Sequence, residues 1–263
     1  MNNKSEKEQR EVAIAELLKK ESKISVQELS ERFGVSGMTI RRDLEILRKN
    51  HVIERTHGFA SLVQGGEEYA IDGEIYDLRT ARIQNLNIKN QIACYAAKLI
   101  QPNDLIFFDS GTTVSRITNF LPTDFEFSAL CYNFTVLAEL LKHPNIKTIF
   151  PGGYYYPEDQ IFTSSEAVNT IRHFRANIAF VSASGIHKSL GITCINGHSA
   201  DNKRAIIESS AKTILLTDST KFDLVKSNHF AELSEINTII TDNGISEKWL
   251  KYLNSNKIEI IAV

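Results

Sequence analysis

The sequence predicts a small helical amino-terminal domain ahead of a larger, mostly parallel α/β domain. Three observations carry that expectation. Near the start, two helices each opened by a serine flank a glycine-bearing turn. From about residue 88 onward, continuously apolar strands alternate with helices, the pattern of a parallel sheet covered on both faces. Charge changes sign along the chain, with a net of +2 over residues 1–62 and −4 over residues 63–263.

The chain has 263 residues, 42% of them apolar and 24% charged, which excludes wholesale disorder. No apolar run approaches the roughly 20 residues that span a bilayer, so no membrane partner is expected. The start alternates charges without an apolar core, unlike a secretory signal, and a cytoplasmic location is expected. Cys94, Cys131 and Cys194 are odd in number and widely spaced. They read as reduced thiols, with no metal site and no cofactor.

In the head, residues 6–22 set Val12, Ile14, Ala15, Leu17 and Leu18 among charges, an amphipathic helix. Ser25 caps a second helix, with Glu28 completing a capping box and Ile24 stapled to Leu29. Phe33-Gly34 ends it, because glycine accepts a left-handed stop. Ser36 caps a third helix that runs to about Asn50, with Val35 stapled to Ile40 and a buried stripe of Ile40, Leu44 and Leu47. Met38, Arg42 and Lys49 then project the opposite way, with Thr39 and Arg41 on the flanks. Arginine is the side chain best suited to guanine edges or phosphate. Base contacts come from the amino-terminal part of such a helix. Ser36, Met38, Thr39, Arg41 and Arg42 are therefore the expected DNA-facing set. The same spacing also suits a plain three-helix domain whose arginines are solvated or bridged to Asp43 and Glu45. Val52 to Leu62 reads as two short strands turning at His57-Gly58. Arg55 and His57 in this wing suit a phosphate backbone or a minor groove as well as they suit solvent.

The segment Val35-Ser36-Gly37-Met38-Thr39-Ile40-Arg41-Arg42-Asp43-Leu44, with Leu47 and the His57-Gly58 turn, resembles the winged helix-turn-helix of the DeoR family of bacterial transcription regulators. That family carries Gly-Gly-Ala after the wing histidine, where this chain has Gly58-Phe59-Ala60. Residues 63–87, with Gln64-Gly65-Gly66-Glu67-Glu68 and an acidic stretch, read as a linker. The expected division is a DNA-binding domain at 1–62, that linker, and an effector-sensing and oligomerisation domain at 88–263.

In the body, helices are expected at about 88–101, 110–121, 135–141, 166–173, 199–211 and 246–254. Strands are expected at 104–108, 125–132, 146–150, 178–182, 214–217, 238–241 and 258–263. Ligands of open α/β sheets bind beyond the carboxyl ends of the strands. After the first strand come Asp109, Ser110, Gly111, Thr112 and Thr113, opening a helix whose amino terminus favours an anion. Asn133, Gly152-Gly153, Ser184-Gly185 and Asp218-Ser219-Thr220-Lys221-Phe222 follow later strands. Any one of these glycines is more readily a turn than a site. Together the clusters favour a small phosphorylated, polyhydroxylated ligand. Lys89 or Lys221 would meet its phosphate, and Asp109 or Asp218 would accept from its hydroxyls.

The body is similar to the DeoR effector domain, itself related in fold to ribose-5-phosphate isomerase and glucosamine-6-phosphate deaminase. The matching pieces are Asn87-x-Lys89 with Ile92-Ala93, Asp109 through Thr113, Gly152-Gly153, Gly185-Ile186, Gly191-Ile192-Thr193 and Asp218-x-x-Lys221-Phe222. Two departures stand near the expected pocket: Tyr132-Asn133 replaces the family's Thr-Asn, and no glycine accompanies Ser164-Ser165. The resemblance implies a repressor of a sugar-metabolism operon. Its partners would be a double-stranded operator and a phosphorylated sugar effector, and it would act as a homodimer or homotetramer. The alternative is an isomerase or deaminase on the same fold. That chemistry needs a base beside the sugar with a pKa near working pH. Asp109, Asp218, Glu166 and His198 are available but form no acid–base cluster in sequence, and no G-x-G-x-x-G follows a strand. No catalytic residue is expected.

Overall fold

The computed structural model describes residues 7, 10, 11, 13–15, 17, 18, 21, 23–49, 52–56, 59–62, 69–71, 74–76, 81 and 84–263. They fall into two units, Met1–Tyr69 with Ile75–Leu86, and Ala70–Glu74 with Asn87–Val263.

In the first unit, helical residues between 7 and 18 bury Ile14, Ala15 and Leu18. The two-residue strand β1 (Ile24–Ser25) leads into the helix Val26–Phe33. Ser25 Oγ accepts from the Glu28 N–H at 3.2 Å, and Gly34 ends the helix at φ 63°. Glu28 itself accepts from Arg32 Nη2 at 2.8 Å, so of the expected capping box the serine half is the one described. Ser36 Oγ takes the Thr39 N–H at 3.2 Å and starts the helix Gly37–Lys49. Ile40, Leu44 and Leu47 are fully buried and meet Leu29, Val52, Ile53 and Ala60 in one core. Strands β2 (Ile53–Thr56) and β3 (Phe59–Leu62) pair antiparallel, and β3 also pairs with β1. The turn at 57–58, with His57, lies outside the described residues. Within the span read as a linker, β4 (Tyr69–Ile71) and β5 (Glu74–Tyr76) pair with each other.

The main stretch of the second unit begins within the helix Leu86–Ala97, which starts two residues earlier than expected. Strands β6 (Leu105–Phe108), β7 (Phe127–Cys131) and β8 (Ile146–Ile149) step outward in one direction. An antiparallel ribbon follows, β9 (Tyr154–Tyr156) with β10 (Ile161–Thr163). Strand β11 (Ala176–Ser182) returns to the other side of β6. The hairpin β12 (Gly185–His187) and β13 (Gly191–Cys194) comes next, then β14 (Ser210–Leu216) beside β11. Strand β15 (Asn228–Ala231) joins β13, and β16 (Thr238–Thr241) and β17 (Glu259–Ala262) complete the main sheet. Its order is β17-β16-β14-β11-β6-β7-β8, with every pair parallel.

Alternate residues of each strand feed two cores. Phe107, Ala179, Val181, Leu215 and Ile239 pack with Ile171, Ile206, Trp249 and Leu253 on one face. Ile106, Phe108, Phe180, Ile214 and Ile240 pack with Ile92, Ala96, Ile117 and Val136 on the other. Among the described residues no helix is long and apolar enough to cross a membrane.

Two expectations are corrected. The helix expected at 110–121 is a 3₁₀ helix, Val114–Phe120. Hydroxyls of Ser115 and Thr118 bond back to carbonyls three residues earlier, at 3.2 and 2.7 Å, and Val114, Ile117 and Thr118 are β-branched. No α-helix amino terminus therefore follows Asp109. The five short strands β9, β10, β12, β13 and β15 were also absent from the expected list.

Gly153 shows how closely the β9–β10 ribbon packs. Its φ is +116°, and a Cβ there would come within 2.6 Å of the Thr163 backbone. Gly153→Ala is expected to lower stability by about 1–3 kcal/mol, measured as a fall in the urea midpoint without a change in slope.

Candidate functional site

In the head, the third helix carries one acid that is 1% exposed, Asp43. Arg10, from the first helix, neutralises it with Nε at 2.7 Å and Nη2 at 3.3 Å. Glu45 is held by Arg48 Nη2 at 2.7 Å, with Arg55 Nη1 at 4.0 Å. Among the described residues, no acid pairs with Arg41 or Arg42, and both are exposed. Met38 is 58% exposed beside them, while the hydroxyls of Ser36 and Thr39 lie 2.9 Å apart. The bridged alternative is thus removed, and a solvent-facing surface of arginines and one thioether remains.

In the larger unit, chain order reverses between β6 and β11, the place where open sheets leave a crevice. Asp109 follows β6 and Ser182 ends β11. Asp109 is fully buried. Its Oδ2 accepts from the Ser182 N–H at 2.8 Å, from Ser182 Oγ at 3.1 Å and from Lys203 Nζ at 2.5 Å. Its Oδ1 accepts from the Tyr132 hydroxyl and from Ser110 Oγ at 3.4 Å. Burial, with the Asp109 charge beside it, holds the Tyr132 phenol well above its usual pKa, so it stays a donor. Lys203 Nζ also donates to the Ser182 carbonyl at 3.1 Å. Gly111 has φ +127°, and a Cβ there would lie 2.1 Å from Ser182 Oγ. Both oxygens of Asp109 are thus engaged by the protein's own donors.

A second charge cluster gathers around Lys89, which is 4% exposed. Burial lowers its pKa to about 7. Asp218 pulls it back up, while Arg116 and Lys221 add like charge and push it down. Arg116, also 4% exposed, donates to Asn90 Oδ1 at 3.2 Å. Asp218 shapes its own loop, accepting from the Thr220 N–H at 3.1 Å and from the Thr220 hydroxyl. Three basic groups and one carboxylate therefore meet beside the ends of β6 and β14, an arrangement suited to an anion.

The remaining expected residues have local duties. Asn133 caps the helix Phe134–Leu140 through the Val136 N–H at 3.1 Å and donates to the Asp159 carbonyl at 2.9 Å. Thr113 is buried, and Thr112 accepts from Ser115 Oγ. Gly185 lies against the Leu224 carbonyl, where a Cβ would come within 2.6 Å, and Gly152 has φ +81°. The structure gathers Asp109, Ser110 and Gly111 in one cluster and Lys89, Asp218 and Lys221 in another. It does not join Gly152, Gly153 or Gly185 to either. Among the described residues no group of three or more His, Cys, Asp or Glu could hold a metal ion.

A sequence model of the DeoR-like helix-turn-helix domain matches residues 10–64, and one of the DeoR C-terminal sensor domain matches residues 84–243. The chain belongs to the DeoR family. It is a DNA-binding transcriptional regulator. Among relatives of this DeoR-family chain is the uncharacterized HTH-type transcriptional regulator YulB of Bacillus subtilis, 33% identical over 97% of this chain and 96% of that one. The deoxyribose operon repressor of Escherichia coli is 27% identical over 97% and 98%. The L-fucose operon activator of Haemophilus influenzae is 29% identical over 95% and 97%. Among solved structures, ribose 5-phosphate isomerase from Plasmodium falciparum matches 52% of each chain with a TM-score of 0.37 and 15% identity.

Sequence reasoning about this DeoR-family regulator missed Ser182, Lys203 and Arg116. Lys203 stands beside Arg204 and reads as surface charge. Its helical spacing was the available signal: Ser199, Asn202, Lys203 and Ile206 form the buried stripe of the helix Gly197–Glu208.

Removing one member of a buried ion pair leaves the other charge uncompensated, at a cost of about 3–5 kcal/mol. Lys203→Met and Asp109→Asn are each expected to destabilise by that order in urea unfolding. The double variant should lose clearly less than the sum of the two.

Proposed function

We propose that the protein represses a sugar-metabolism operon in the cytoplasm. It acts as a homodimer or homotetramer whose third helices occupy paired major-groove half-sites. A phosphorylated sugar bound at the strand ends shifts its operator affinity. Arg41 and Arg42, exposed and without an acidic partner among the described residues, support the DNA half of this reading, with Ser36, Met38 and Thr39 at the same helix end. The wing adds Arg55 and His57.

The observation that carries the effector half is buried Lys89, on which Arg116, Lys221 and the Asp218 carboxylate all act. A buried basic cluster with one carboxylate costs stability in the empty protein, and a dianion offsets that cost. In this reading Ser110, Thr112 and Thr113 supply hydroxyls near the phosphate. Gly152, Gly153 and Gly185, which join neither cluster, stand outside this site, and Asp218 accepts from the sugar. Asp109, with both oxygens engaged, suits an anchor rather than a base, and no catalytic role is assigned. The effector must prefer one of two head arrangements, since equal affinity for both would shift nothing.

Arg42→Ala is expected to weaken binding to the duplex upstream of the protein's own gene by about 1–3 kcal/mol and to relax base preference. Equal loss on random DNA would make Arg42 a phosphate contact instead.

Trp249, the single tryptophan, lies 4.9 Å from Phe222, the neighbour of Lys221, and so reports on this loop. Its emission should respond to at least one of a panel of sugar phosphates and to none of the unphosphorylated sugars. Silence toward the whole panel rejects the effector reading. With a pKa of about 7, Lys89 is mostly neutral above that pH and must take up a proton to hold an anion. Phosphate monoesters are already dianionic there, with a second pKa of about 6. Affinity should therefore fall by up to about tenfold per pH unit above pH 7, and Lys89→Met should flatten the slope. Without ligand, the unfolded chain holds the Lys89 proton more tightly, so stability should rise with pH over the same window.

A further inference from the structure

Among the described residues of the head, two large apolar side chains are exposed: Met38 at 58% and Phe59 at 40%. Met38 belongs to the helix that faces DNA. Phe59 stands on the wing, where the resemblance noted above has glycine. Phe59 opens β3 directly after the turn, opposite Thr56 on β2 and Ser25 on β1. The next residue, Ala60, is fully buried, so Phe59 projects from the outer face of the ribbon. Lys23 Nζ lies 4.3 Å from the centroid of its ring. Arg55, opposite Ala60, projects from the other face toward Glu45. Glu54, the acid of the outer face, pairs with Ser61, two ladder positions further from the turn.

A ribbon end with a cation on each face and an apolar ring beside its turn matches one surface of duplex DNA. The minor groove is narrow and walled by phosphates on both sides. Its floor accepts apolar side chains against base edges and sugars. A phenyl ring has no donor or acceptor, so the major groove offers it a thymine methyl and none of the hydrogen-bond pattern. With the wing in the minor groove, as the winged architecture implies, we propose that Phe59 sits against the base edges and sets sequence preference there, with Lys23 and Arg55 on the two phosphate walls. The exocyclic N2 amino group of guanine is the one donor on that floor. Covering it with a phenyl ring leaves it without a partner, which is costly. Phe59 therefore selects sites that lack guanine beneath the wing. This inference rests on the reading of the head as a DNA-binding domain.

The test uses the full chain and two polymers, poly(dI·dC) and poly(dG·dC). They present the same major groove and differ by the guanine N2 amino group. Fluorescence anisotropy at low salt should show the wild-type chain preferring the inosine polymer by about tenfold. Phe59→Ala should still bind but lose the preference, while Phe59→Leu, which keeps an apolar contact, should retain part of it. Lys23→Ala should keep the preference and reduce the salt slope by about one. Equal binding of both polymers by the wild-type chain overturns the proposal, as does a preference that survives Phe59→Ala. Binding to neither polymer removes the DNA-binding reading itself and this inference with it.

Discussion

A carboxylate with no exposed surface must find all its partners within the fold, and Asp109 organises the larger unit for that reason. Its partners come from three separate elements: Tyr132 after β7, Ser182 at the end of β11, and Lys203 on the helix Gly197–Glu208. They fix the spacing of β6, β7 and β11 at the one place where chain order reverses. Gly111 is part of the same constraint, because its missing side chain is what lets Ser182 approach. The loop after β6 is thereby set by the protein's own groups. Lys203 is committed to this anchor on one face of the sheet. Lys89 stands on a helix of the other face, beside Arg116, Lys221 and Asp218. The protein thus separates the cation that holds the fold together from those suited to a passing anion.

The head follows the same logic with a different outcome. Arg41, Arg42 and Asp43 are neighbours in sequence, yet residues one or two apart on a helix do not face each other. Asp43 turns inward and is met by Arg10, while the two arginines turn outward. Glu45 is within helical reach of both but is held by Arg48, with Arg55 beyond it. Each nearby acid is occupied from elsewhere, and the exposed surface keeps its positive charge.

Much of this was legible from local chemistry. Ser25, Ser36 and Gly34 act within a few residues of where they stand, so caps and stops could be read from the sequence. The stripe of Ile40, Leu44 and Leu47 and the alternation of apolar strands with helices are periodic signals, and they survive folding unchanged. What escaped depends on distant partners. Strand β13 is four residues long and exists because β12 and β15 flank it. Lys203 looks like any surface lysine until the sheet brings Asp109 beneath it. The stretch after Asp109 has a helical look, but its own hydroxyls and β-branched residues tighten it to a 3₁₀ turn. The glycines after strands are expected singly as turns and together as part of a ligand site. At Gly111, Gly153 and Gly185 the space a side chain would need is taken by the protein's own atoms.

Strand β17 closes one margin of the main sheet, and its side chains are only partly covered. Its neighbour β16 is buried at every position from Thr238 to Thr241. Clipping the chain before Glu259 would turn β16 into a bare margin, apolar on both sides and with unmatched amides. Such a margin invites strand addition by other molecules. Residues Glu259–Ala262 therefore shield β16 from strand addition by other molecules.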